Sequence, residues 1–141
     1  EAAAKGWTMI QIGIDPGVYT GFAVAEDGRL VRLETLNFWK VYHIACGLID
    51  EHGSLRVVIE VSKTKKNWHG IKAAHDVGAV RRESMLLADG LELAGAQVER
   101  VHPPGGVDAA TFARITGWTE RTNEHQRVAG MLAITTIRWR G

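Results

Sequence analysis

Cysteine is almost missing from this chain, and long apolar runs are missing altogether. The single Cys46 lies in an apolar stretch with Ile44, Ala45, Leu48 and Ile49, so no disulfide can close within the chain and a reducing, cytoplasmic setting is expected. No apolar stretch approaches the roughly 20 residues of a membrane span, and no charged-then-apolar signal precedes the first apolar segment, so neither membrane insertion nor export is expected. The prolines number three and fall in two places, after Asp15 and after His102, leaving the rest free to form regular elements. No charge of one sign dominates, since the net charge is +1.

What charge there is lies unevenly. Residues 55–82 carry Arg56, Lys63, Lys65, Lys66, Lys72, Arg81 and Arg82 against Glu60 and Asp76, and the tail from Thr111 sets five arginines against Glu120 and Glu124. Such patches suit a phosphate backbone, although solvated helix faces give similar counts. At 141 residues the chain has the size of one domain that buries about two-thirds of its unfolded surface. The opening Glu1-Ala2-Ala3-Ala4-Lys5 matches a repeat used as a helical spacer in fusions, so residues 1–8 are read as a tag or linker remnant and residues 9–141 as the domain.

Apolar periodicity orders the domain. Met9–Asp15 and Gly21–Ala25 form a hairpin about an Asp-Pro-Gly turn, and Arg29–Leu36 is a third strand after Glu26-Asp27-Gly28. Val41–Glu51 has helical spacing. Arg56–Val61 is a strand apolar on both faces, which places it at the middle of the sheet. Ile71–Ala94 reads as a long amphipathic helix through Val77, Val80, Met85, Leu87 and Leu91, and Gln97–His102 as a last strand. Helices over Asp108–Thr116 and Asn123–Arg138 complete a β-β-β-α-β-α-β-α-α order. Hairpin strands followed by alternating helices and strands predict an α/β fold: a mixed five-stranded sheet flanked by helices on both faces.

Two carboxylates stand out. Asp15 ends the first strand where Gly17 and Gly21 leave its surroundings open, so it should project from the sheet's edge; Asp-Pro-Gly is also ordinary turn chemistry. Glu60 follows Val57-Val58-Ile59 on a buried strand, where an unpaired charge costs on the order of several kcal/mol, so it needs a cation. That cation is either a divalent metal shared with Asp15, magnesium or manganese taking carboxylate oxygens, or the ammonium of Lys63 or Lys65.

The order of these segments resembles RuvC-type Holliday junction resolvases of the RNase H-like superfamily. Ile12-Gly13-Ile14-Asp15-Pro16-Gly17 with Thr20-Gly21 is similar to their first strand, and Val57-Val58-Ile59-Glu60 to their second catalytic strand. Gly78-Ala79-Val80-Arg81-Arg82-Glu83 resembles the long helix, and Val107-Asp108-Ala109-Ala110 through Thr122-Asn123-Glu124-His125 the carboxy-terminal region of phage-type members. The resemblance implies an RNase H-like fold and a structure-specific endodeoxyribonuclease holding Mg2+ or Mn2+ in a two-metal site. Asp15 and Glu60 match the first two ligands, and the family's His-x-x-Asp-Ala element falls on His125 to Ala129 with Val128 where the carboxylate belongs. Valine cannot ligate a metal. An inactivating replacement, a naturally degenerate site and a ligand rerouted to Glu124 all remain open, although Glu124 is turned about 100° from His125 around a helix. The resemblance further implies four-way junction DNA as partner, gripped by Lys63, Lys65, Lys66, Arg81 and Arg82, and a homodimer through the helix Ile71–Ala94. Trp68 is either a stacking platform for an unpaired base or a residue tucked against that helix. The rival readings are another RNase H-like nuclease and a non-catalytic DNA-binding protein.

Overall fold

Alternation along the first strand sends Ile10, Ile12 and Ile14 to one side and Gln11, Gly13 and Asp15 to the other, and both sides are covered. A computed structural model describes residues 8–61, 71–102 and 105–135, with 71–77 described by backbone alone. Strands β1 (Ile10–Asp15), β2 (Thr20–Glu26) and β3 (Arg29–Leu36) form an antiparallel meander. Strands β4 (Arg56–Glu60) and β5 (Gln97–Val101) continue the sheet in parallel with β1, giving the order β3-β2-β1-β4-β5. The centre of the sheet is therefore β1 and not β4, because the hairpin strands stack outward on one side of β1 and the crossover strands on the other.

One face carries helices α1 (Phe38–His52) and α2 (Ile71–Leu93), whose Val41, Ala45, Ile49, Leu87, Ala88 and Leu91 pack on Ile12, Ile14, Val57 and Ile59. The other carries α4 (Glu124–Ile134), backed by α3 (Ala109–Thr116) through Phe112. Helix α1 starts three residues before the expected Val41, because the Asn37 side chain accepts from the Lys40 amide at 2.9 Å and caps the extra turn. Helix α4 ends at Ile134, where Thr135 turns extended, and the expected end at Arg138 lies outside the described residues. The Gln11 amide donates to the carbonyls of Leu132 and Thr135, at 3.0 and 2.7 Å, and satisfies the helix end there. Helix α2 exists, but its apolar residues are not confined to one stripe. Leu87 and Leu91 are buried while Met85, Leu86 and Leu93 face solvent; Val77 lies outside the described side chains.

The packing of α4 has a sequence cause. A Cβ built on Gly13 would lie 2.0 Å from the Ala129 carbonyl oxygen, and one on Gly21 would lie 2.2 Å from that of His125. These two glycines let the helix backbone rest directly on β1 and β2. At its amino end, Asn123 and Gln126 form a reciprocal capping box, and both side-chain amides donate to Thr35 Oγ1 on β3 at 3.0 Å. Asn123→Ala is expected to cost about 1–2 kcal/mol in urea unfolding, with a matching loss of order at His125.

Candidate active site

Because β1 and β4 run parallel with Ile14 beside Ile59, their carboxyl ends bring Asp15 and Glu60 together. Both lie on the α4 side of the sheet, Asp15 in step with Gly13 and Glu60 in step with Val58. Asp15 does not project from an edge: it is 6% exposed, at the end of the central strand. Gly21 does not open its surroundings either, since α4 fills them.

The two carboxyls share a hydrogen bond, with Glu60 the protonated donor and Asp15 the acceptor. Burial pushes Glu60 up to about 8, with the hydrogen bond and the charge of Asp15 adding to it. Burial also raises Asp15, opposed by its bond to Glu60 and reinforced by the charge of Glu124. His125, on the first turn of α4, places Nδ1 2.9 Å from Asp15 Oδ2 while its side chain remains more than half exposed. Asp15, Glu60 and His125 are thus brought to one place. Glu124 is exposed, yet close enough for its charge to reach Asp15, which its position around the helix did not suggest.

A folded-state pKa above the ordinary carboxylate value means that the folded protein holds a proton the unfolded chain has released. Glu60 therefore favours folding most below its unfolded value of 4.5, and that contribution is lost as pH rises through about 8. The metal-free protein should melt at progressively lower temperature from pH 5 to pH 8.5, and Glu60→Gln should flatten that slope, as read by thermal unfolding in a chelator.

Val128 sits elsewhere in the same face. It is 9% exposed and packs with Val58, Leu132 and Val101, the last of these in register with Glu60 across β4 and β5. Residue 128 therefore faces the strand pair that carries Glu60, and a valine there completes an apolar cluster. A further residue escaped the sequence reading: His102, just past β5, is near enough to Glu60 for its charge to lower that group's pKa. Only the pairing of β4 with β5 reveals it.

Lys63, Lys65, Lys66 and Trp68 lie outside the described residues. Arg81 and Arg82 are exposed on α2. Arg127, counted among the basic tail, is a structural bracket. Its Nε donates to the Val107 carbonyl at 2.8 Å and its Nη1 to the Thr122 carbonyl and hydroxyl.

The donor set suits a divalent cation in part. Asp15 is buried and Glu60 half-buried, and the two carboxyls are held together by one proton, which a cation would displace. Among the described residues, however, no group of three or more His, Cys, Asp or Glu side chains stands ready around one metal position. His125 turns its nitrogen onto Asp15, and Val128 supplies no oxygen.

A mixed five-stranded sheet with this order, flanked by helices and carrying an acidic pair at the ends of β1 and β4, has the RNase H-like fold. Among solved structures the chain is similar to Thermus thermophilus RuvC in complex with a Holliday junction substrate, at 18% identity and a TM-score of 0.60, over 89% of this chain and 90% of that one. It is similar also to a second Thermus thermophilus RuvC structure, at 18% identity and a TM-score of 0.57, over 89% and 92% of the two chains. No family model and no curated protein matches the sequence.

Proposed function

We propose that this chain is a RuvC-like Holliday junction resolvase, an endodeoxyribonuclease that acts on four-way DNA with Mg2+ or Mn2+ and has lost one carboxylate at Val128. The observation that carries this reading is the hydrogen-bonded Asp15–Glu60 pair with His125 beside it, in a fold similar to a RuvC bound to a junction. Asp15 and Glu60 would hold the cation. A bound divalent ion there supplies a Lewis acid for the scissile phosphate and lowers the pKa of water. Asp15 orients His125 through Nδ1, and the exposed imidazole can hold a proton at the rim where a backbone phosphate would approach. Helix α4, seated on β1 and β2, covers Asp15 and limits water access on its side of the pair. Arg81 and Arg82 on α2, with Lys63, Lys65 and Lys66, would bind phosphates, and α2, where Met85, Leu86 and Leu93 are exposed, would be the contact of a homodimer.

One observation favours a second reading, a junction-binding protein without cleavage: Val128 is packed into an apolar cluster instead of lining a cation site. Both readings require junction recognition. In a calcium buffer that suppresses cutting, the protein should bind a synthetic four-way junction at least about 10-fold more tightly than linear duplex of the same sequence, with affinity falling steeply with salt. Equal affinities for the two would remove both readings.

A further inference from the structure

The turn between β1 and β2 presents two apolar residues to solvent at the rim of the acidic pair: Val18 is 80% exposed and Tyr19 69% exposed. Neither has a packing role in the described structure. The turn itself is fixed. Pro16 and Thr20 on either side of it are buried, and the Thr20 hydroxyl donates back to the Gly17 carbonyl at 3.4 Å. A Cβ on Gly17 would meet His125 Cε1 at 3.7 Å, so the turn also rests against the histidine that contacts Asp15. A flat aromatic ring is therefore held in water on a turn anchored at both ends, four residues from the buried carboxylate. That arrangement exposes apolar surface at a cost unless a partner covers it.

Resting on the reading that a phosphodiester lies over Asp15 and Glu60, we propose that Tyr19 is a base-stacking residue, which receives an unstacked nucleobase flanking the scissile phosphate. The chemistry selects this partner. The groups next to a phosphodiester in its own strand are a sugar and a base, and only a base offers a flat π-face to the ring. In continuous duplex that face is covered by its neighbours, so Tyr19 would favour DNA whose bases are already unpaired, as at a crossover. Val18 would bear on the sugar edge.

The test uses the protein as it is, in calcium buffer, with 2-aminopurine placed in turn at each position around the crossover of a four-way junction and in a matching single strand. The expected result is strong quenching at one or two positions flanking a single phosphate. Tyr19→Ala should remove that quenching and weaken junction binding roughly 10-fold, while Tyr19→Phe should keep both, because the ring and not the hydroxyl makes the stack. Circular dichroism confirms that the variants are folded. If quenching persists in Tyr19→Ala and disappears in Trp68→Ala, the stacking residue is Trp68 and the proposal fails. Loss of junction preference with Tyr19-dependent quenching retained on the single strand would defeat the resolvase reading and leave the stack standing. No quenching on either substrate overturns the stack.

Discussion

Gly21→Ala is expected to unseat the amino end of α4, lowering stability by about 3 kcal/mol and breaking the His125–Asp15 contact. The added carbon would lie 2.2 Å from the His125 carbonyl oxygen and 2.6 Å from its carbon, both backbone atoms with no rotamer to swing away. Gly13→Ala meets the Ala129 carbonyl at 2.0 Å and the Ala133 nitrogen at 2.6 Å, and should cost as much or more. A loss of that size lowers the melting temperature by roughly 10 °C in a domain of this length. Gly47→Ala is the control, since a Cβ there meets nothing within 4 Å and lies inside α1. It should stabilise by about 0.5–1 kcal/mol. Equal melting temperatures for Gly21→Ala and the parent would mean that α4 does not rest on the sheet as described.

Val128→Asp is expected to destabilise the metal-free protein by about 2–4 kcal/mol and to make its stability depend on divalent cations. The substitution removes apolar contacts with Val58, Val101 and Leu132 and buries a third carboxyl on the face that holds Asp15 and Glu60. Like charges gathered in low dielectric repel until a cation joins them, so Mn2+ or Mg2+ should restore most of the loss by binding only the folded state. Thermal unfolding with and without 5–10 mM metal, on the order of typical working concentrations, reads this directly. A Val128→Asp protein indifferent to metal would show that residue 128 does not address the same centre as Glu60.

Much of this was legible from residue order. The strands and helices follow from apolar periodicity and turn residues, which are local signals, whereas the pairing of Asp15 with Glu60 stood open beside a salt bridge from Lys63 or Lys65 and was favoured only by the resemblance to RuvC-type resolvases. The roles of Gly13 and Gly21 were not legible, because a glycine beside a turn reads as openness and its close contact is with a helix more than 100 residues away. The central position of β1 was hidden for a similar reason: an apolar run on both faces says that a strand is covered, not which strand lies in the middle. His102 came into view only through the β4–β5 register, and Arg127 changed from a candidate phosphate contact to a bracket once its acceptors were placed. Val128 was visible as a departure, and the fold gives it a neighbourhood: apolar partners below, and the acidic pair one step further along the strands.

The proposed cation-binding role of Asp15 and Glu60 in a junction nuclease is tested most directly by incubating Val128→Asp, with and without Asp15→Asn, with a mobile four-way junction and with linear duplex in Mn2+ or Mg2+. The expected result is paired, symmetric, ligatable nicks in the junction alone, faster than in the parent by at least about 100-fold, and none when Asp15 is replaced. Equal cutting of duplex and junction, or cutting that survives Asp15→Asn, would contradict it.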